Sequence, residues 1–126
     1  MIKGLEGILL GSQHPDELAK FYRETVGLKQ TMEAEIGEKG EGLFIFEMKG
    51  STALYVIHHS KVTGKNKEAG RFIFNLEVDN IENEVKRLKG AGVKVIQDTY
   101  HVEDYGYVAT FEDSDGNYFQ LVKTKE

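Results

Sequence analysis

Residues 111–121 read FEDSDGNYFQL, a polar turn between two apolar, strand-like runs. Asp115-Gly116 favours a tight turn because both residue types tolerate a positive φ. The segment therefore predicts a β-hairpin with strands over 105–112 and 117–123. A weaker copy of this pattern lies 65 residues earlier in the chain. There Phe46-Glu47 corresponds to Phe111-Glu112, and Leu54 corresponds to Phe119.

The order of predicted elements repeats at the same offset, which predicts two tandem βαβββ modules. Module one would comprise strands at 5–10, 28–36, 43–48 and 52–58, with a polar turn at 37–42 and a helix that begins at Pro15 and ends at Gly27. Module two would comprise strands at 72–78, 93–99, 105–112 and 117–123, with a helix capped by Asp79 or Asn80 and ended by Gly92. The predicted fold class is α+β, with mixed sheets and one helix packed on each.

Composition limits the class of protein. The chain has 126 residues, enough for one domain with its own core; module one would span about 1–59, a linker 60–69 and module two 70–126. A net charge of −5 argues against nucleic acid as a partner. No stretch is apolar enough to predict a membrane segment or signal peptide. The sequence has no cysteine, which favours a cytoplasmic location.

Three stretches carry a family resemblance: LAKFYRETVGL at 18–28, LEVDNI at 76–81 and the hairpin at 111–121. Together they resemble the vicinal oxygen chelate superfamily, which includes glyoxalase I, extradiol dioxygenases, fosfomycin-resistance enzymes and bleomycin-binding proteins. The resemblance implies two modules whose sheets curl around a shared cleft for a small molecule. It also implies a homodimer, in which modules are sometimes exchanged between chains.

Metal-dependent members of that superfamily hold a divalent ion with one His, Gln or Glu from the first and fourth strands of each module. Carried onto this chain, the first-strand positions fall on Gly7 (or Ile8) and Ile73, with Phe72 and Phe74 beside Ile73. The fourth-strand positions fall on Tyr55 and Gln120. Of these four residues only glutamine is an ordinary metal ligand. We therefore predict no metal site and no cofactor.

Strand alternation predicts the lining of a binding site. If Tyr55 and Gln120 face the cavity, then Ala53, Ile57, Tyr118 and Val122 do so as well. Asn75 and Glu77 would share that face, whereas Leu54, Val56, Phe119 and Leu121 would pack against the helices. The predicted ligand-binding residues are Tyr55, Asn75, Gln120, His101, Tyr105 and Tyr118. The alternative is that Asn75 and Gln120 only hydrogen-bond each other across a filled core.

Other polar residues have simpler structural explanations. His58 and His59 are adjacent on a strand and point to opposite faces, so a shared ion is not expected. Asp113 and Asp115 are accounted for by the turn. His101 is expected in a loop at the mouth of the cleft, either contacting the ligand or merely exposed.

Two functions follow. The first is a metal-independent protein that binds an aromatic or polar organic ligand, as bleomycin-binding members do. The alternative is a lyase, isomerase or dioxygenase of glyoxalase I type that depends on a divalent metal such as Zn, Ni, Mn or Fe. It would need displaced ligands, for example His101, Glu77 and Gln120.

Overall fold

The computed structural model describes residues 1–36 and 41–125. Its elements, in chain order, are eight strands and two α-helices with two short additional helical segments. They are β1 (Gly7–Ser12), α1 (Pro15–Lys20), a π-helical segment (Phe21–Val26), β2 (Gln30–Ile36), β3 (Glu41–Glu47), β4 (Ala53–His58), a 3-10 turn (Ala69–Arg71), β5 (Ile73–Glu77), α2 (Ile81–Gly90), β6 (Lys94–Val102), β7 (Gly106–Glu112) and β8 (Tyr118–Thr124). The first four residues of the predicted turn at 37–42 lie outside the described residues, and the prediction is wrong for the last two, which belong to β3.

The chain divides into two compact units, Met1–Gly64 and Lys65–Glu126. Each unit contains one four-stranded mixed sheet, in the order β1-β4-β3-β2 in the first and β5-β8-β7-β6 in the second. The first strand of each sheet runs parallel to the last, and the remaining neighbours are antiparallel. The predicted fold class, α+β with tandem βαβββ modules, is confirmed. Among the described residues, no helix is long and apolar enough to span a membrane.

Helix α2 follows its sequence pattern closely. Asn80 caps it, since its side-chain oxygen accepts a hydrogen bond from the Asn83 amide at 3.0 Å. Ile81, Val85 and Leu88 are buried on one face, at the spacing expected of an amphipathic helix. The helix covers one face of the second sheet, where it packs against β6, β7 and β8.

The helical part of module one is less regular. Pro15 occupies the first turn of α1, where a missing N–H is harmless. The following six residues, Phe21–Val26, widen into a π-helical segment. The chain leaves it at Gly27, whose φ of 94° is left-handed, while the Gly27 and Leu28 amides both donate to the Tyr22 carbonyl. Helix α1 packs on β1, β3 and β4, on one face of the first sheet.

The alternation predicted for the strands is confirmed on the sides that pack against the helices. Leu54 and Val56 on β4, and Phe119 and Leu121 on β8, are all buried. Phe119 also stacks between Phe74 and Phe111, with ring centroids 6.3 and 5.9 Å away. Full burial of a side chain of this size stabilises the fold by roughly 2–3 kcal/mol. The opposite face, which the helix of the unit does not cover, is called here the helix-free face of each sheet.

The strand bounds differ from the predicted ones by up to three residues, and two of these differences bear on the site. The first strand begins at Gly7 and not at Leu5, which leaves Glu6 just before it. Strand β6 continues to Val102, past the predicted end at Thr99. Two irregularities in its pairing with β7 allow it to stay in the sheet over this length. The prediction that His101 lies in a loop is therefore wrong.

Candidate functional site

The helix-free face of the first sheet is dominated by Tyr55. Gly7 on β1 lies two residues before Leu9, the parallel-strand partner of Tyr55. A Cβ atom at Gly7 would lie 2.5 Å from Tyr55 Cε2 and 2.8 Å from the Ala53 carbonyl oxygen. The phenol ring thus lies directly against the Gly7 backbone, in the space that a side chain at position 7 would need.

Glu6 fixes the other end of this ring. The Tyr55 hydroxyl donates a hydrogen bond to the Glu6 carboxylate. That bond, aided by partial desolvation and by the negative charges of Glu6 and Glu47, raises the pKa of Tyr55 above its ordinary value. The higher pKa disfavours the phenolate form further.

The second sheet carries a different set of groups. In its register Ile73 pairs with Tyr118 and Asn75 pairs with Gln120, so Asn75 and Gln120 are neighbours on the helix-free face. Gln120 Nε2 donates to Thr110 Oγ1 at 2.9 Å on the adjacent strand. Asn75 Nδ2 instead donates to the Tyr105 hydroxyl at 3.4 Å. Each amide thus has its own partner, and no hydrogen bond joins these two described side chains.

Tyr105 lies across this face. It immediately precedes β7, whereas Asn75 is on β5, and β8 lies between these strands. The ring must therefore cross β8 on the side that carries Gln120. Tyr118, two residues before Gln120, shares the same face by alternation and is half-buried. Four of the predicted residues, Asn75, Gln120, Tyr105 and Tyr118, are thus brought together.

His101 lies elsewhere. It pairs with Tyr107 across β6 and β7, and the two rings are 4.9 Å apart. Tyr107 alternates with Val108 and shares the side of the sheet that carries Ala109 and Phe111, both buried on the helix side. His101 is therefore on the opposite face from Gln120. With Tyr105, Tyr107 and Lys123 it lines a cavity of about 360 Å³ at the end of the sheet, so Tyr105 is the one predicted residue that it meets there.

The four positions that the family resemblance assigns to metal ligands carry few donor atoms in this chain. Gly7 has no donor and is covered by the Tyr55 ring, and Ile73 is aliphatic. Gln120 offers a single neutral oxygen, which is too little to hold an ion. Within residues 1–36 and 41–125, no three His, Cys, Asp or Glu side chains are grouped as a metal site would require.

The other polar candidates have structural roles. His59 Nδ1 accepts a hydrogen bond from the Lys61 amide at 3.2 Å in the turn after β4. Asp113 is buried, and its Oδ1 accepts hydrogen bonds from the Asp115 and Asn117 amides, both at 2.9 Å. These contacts hold the turn between β7 and β8, as the sequence predicted.

Sequence reasoning missed two groups that shape these faces. The strand predicted at 5–10 contains Glu6, and nothing in that pattern indicates its contact with Tyr55. Thr110 lies opposite Gln120 in the β7–β8 hairpin. Because the strands on either side of the turn at 113–117 are antiparallel, counting outward from that turn pairs Thr110 with Gln120.

Comparison with known proteins agrees with this geometry. Residues 4–121 match the family model described as Glyoxalase/Bleomycin resistance protein/Dioxygenase superfamily. The chain belongs to this superfamily. A search of curated proteins returned no significant match.

Solved structures of superfamily members share the fold at low sequence identity. TnmS3, described as an antibiotic binding protein from Streptomyces sp. CB03234, is 23% identical, with a TM-score of 0.77 and 98% of each chain covered. Glyoxalase I of Leishmania major is 20% identical, with a TM-score of 0.76 over 97% of this chain and 87% of that chain. The fosfomycin resistance protein FosX of Listeria monocytogenes is 16% identical, with a TM-score of 0.73 over 99% and 96%. At these identities the similarity shows the fold alone.

Proposed function

We propose that this chain is a metal-independent binding protein that holds an aromatic or polar organic molecule against the helix-free faces of its sheets. Tyr55 would contact the ligand in module one, and Asn75, Gln120, Tyr105 and Tyr118 in module two. The observation that carries the proposal is the Tyr55 ring lying against Gly7, because it puts an aromatic side chain where the family resemblance implies a metal ligand.

The module-two face has the chemistry of a small-molecule site. Apolar and aromatic surface is combined there with a few oriented polar groups, as is usual in ligand pockets. Asn75 is exposed, and its one hydrogen bond, to Tyr105, is long. A ligand that accepts a hydrogen bond could replace that contact at little cost, because a bond at 3.4 Å is weak.

The similarity to TnmS3 is in keeping with this proposal, since that protein is described as binding an antibiotic. Glyoxalase I and FosX share the fold equally well. The assignment between binding protein and enzyme therefore depends on the residues of this chain. At the four ligand positions those residues are Gly7, Tyr55, Ile73 and Gln120.

Isothermal titration calorimetry tests the proposal. The purified chain is titrated with metal-free bleomycin, fosfomycin and the aromatic probe 8-anilinonaphthalene-1-sulfonate, each with and without EDTA. We expect at least one aromatic compound to bind with micromolar affinity, unchanged by EDTA. Asn75→Ala should weaken binding several-fold, whereas the matched Asn83→Ala variant, an exposed asparagine on α2, should not.

The outcomes separate the two functions. Binding that appears only after Zn²⁺, Ni²⁺ or Mn²⁺ is added would favour the metal-dependent lyase, isomerase or dioxygenase. The absence of binding by every compound, with and without metal, would overturn the proposal.

The proposal includes a homodimer, as the family resemblance implies, and a cytoplasmic location, which the lack of cysteine favours. Light scattering coupled to size-exclusion chromatography checks the dimer, for which we expect twice the 14.2 kDa chain mass. Fractionation of cells that express the tagged chain checks the location.

A further inference from the structure

A second cavity lies on the helix-free face of module one, beside Tyr55. Its volume is about 330 Å³. Ala53, Ile45 and Tyr55 form its floor: Ile45 pairs with Tyr55, and Glu47 pairs with Ala53, across β3 and β4. The side chains of Glu6 and Glu47 also line it.

Two carboxylates border this cavity, and neither is neutralised. Within the described residues, no Lys, Arg or His forms an ion pair with Glu6 or Glu47. Glu6 is held by the Tyr55 hydroxyl, which is a neutral donor. The hydrogen bond to Glu6, and to a smaller extent the charges of Glu6 and Glu47, raise the pKa of Tyr55.

The third component is the aromatic ring. The Cδ2–Cε2 edge of the Tyr55 ring lies against Gly7, and the residue lines the cavity together with Glu6 and Glu47. An aromatic surface next to carboxylates is the combination that recognises organic ammonium groups, through cation–π attraction and ionic hydrogen bonds. The same arrangement repels carboxylates and phosphates.

We propose that this cavity, formed by Glu6, Glu47 and Tyr55, binds the ammonium group of an organic cation. The ligand class is an amine joined to an apolar or aromatic body. The inference rests on the proposed function, since it specifies which organic molecules the helix-free faces accept. A volume near the lower limit of about 300 Å³ for ligand pockets suits an amine-bearing arm rather than a whole drug-sized molecule.

Backbone hydrogen bonds around this cavity fix the positions of Glu6 and Glu47. The turn from β3 to β4 is tight, with Gly50 and Ser51 at φ values of 82° and 64°. The Met48 amide donates to the Thr52 carbonyl at 2.7 Å, which closes this turn beside Glu47. The Ala53 amide donates to the Glu6 carbonyl at 3.1 Å, which holds Glu6 next to β4. Both carboxylates are thus attached to backbone that hydrogen bonds fix in place.

The test compares two probes of nearly equal size, 2-phenylethylammonium and the neutral 2-phenylethanol. Each is titrated into ¹⁵N-labelled chain at pH 7 and low salt, and amide shifts are followed by NMR. We expect the ammonium to bind about ten-fold more tightly, with shifts at the amides of Glu6, Ser51 and Ala53. Exposed ion pairs weaken in salt, so 0.5 M NaCl should reduce the preference.

Two variants make the test specific. Glu47→Gln removes one of the two negative charges that line the cavity. Because Glu47 is exposed, we expect the variant to fold, and its amide NMR spectrum checks that it does. Glu103→Gln makes the same change in net charge at an exposed turn in module two. We expect Glu47→Gln to lose most of the preference for the ammonium and Glu103→Gln to retain it.

Equal affinity for the two probes, or equal effects of the two variants, would overturn the inference. If both probes bound equally with shifts on the helix-free faces, the cation site would be wrong and the proposed binding function would stand. If neither probe bound, the cation site would be wrong, and the calorimetric titrations above would decide the function separately.

Discussion

The contact between Gly7 and Tyr55 can be tested by adding a single carbon atom. In Gly7→Ala the new Cβ would approach Tyr55 Cε2 to 2.5 Å and the Ala53 carbonyl oxygen to 2.8 Å, so something must move. Overpacking of this kind costs about 1–3 kcal/mol. We expect a loss of about 2 kcal/mol in the free energy of unfolding and a fall in Tm of about 8 °C.

A double-mutant cycle identifies the cause of that loss. In a Tyr55→Ala background only the clash with the Ala53 oxygen remains, so Gly7→Ala should cost about 1 kcal/mol there, giving a coupling of about 1 kcal/mol. In a Tyr55→Phe background the ring remains and the full cost should return. Urea unfolding measures each value, and Gly70→Ala, where a Cβ meets nothing within 4 Å, is the control. An equal cost in all three backgrounds would refute the packing of Tyr55 on Gly7.

Three further predictions concern other parts of the molecule. Gly106 has a φ of 141°, and a Cβ there would overlap the Lys123 carbonyl oxygen. Gly106→Ala should therefore lower the free energy of unfolding by about 3 kcal/mol, measured by urea unfolding. An unchanged free energy of unfolding would contradict the β7–β8 pairing. Asn80→Ala removes the cap of α2 and should cost about 1 kcal/mol in the same assay; no change would mean that the cap is dispensable. Glu6→Gln should lower the pKa of Tyr55 toward about 10, read from its ¹³Cζ shift. Because the pKa of Tyr55 is higher in the folded than in the unfolded chain, its protonated form stabilises the fold fully at pH values below the unfolded-state pKa. This stabilisation decreases as the pH rises through the folded-state pKa, so the wild type should lose it at alkaline pH. An unchanged Tyr55 titration in Glu6→Gln would show that the hydrogen bond is not its cause.

Most of the fold could be predicted because local signals agreed with tertiary packing. In module two, Asn80 before a 3.6-residue apolar pattern and Gly92 after it bounded the helix to within two residues. The alternation in Leu54–Val56 and Phe119–Leu121 gave the buried faces correctly. These features depend on residues close in sequence.

The features that sequence did not give depend on register and on irregular backbone. The widening of the first helix over Phe21–Val26 has no distinct sequence signal, since its apolar spacing also fits an ordinary α-helix. The bulges in β6 reposition His101, and no local propensity predicts where a strand will bulge. For the site, the four ligand positions were assigned from the family resemblance, whereas the groups beside them, Glu6 and Thr110, emerged only once the strands were paired.

The central claim is that Gly7, Tyr55, Ile73 and Gln120 do not hold a metal ion. Paramagnetic broadening tests it most directly: Mn²⁺ is added in equimolar amount to ¹⁵N-labelled chain, and amide intensities are compared with a Mg²⁺ control. We predict no selective loss of intensity at these four amides. Selective broadening of the four together, reversed by EDTA, would show a metal centre and contradict the account.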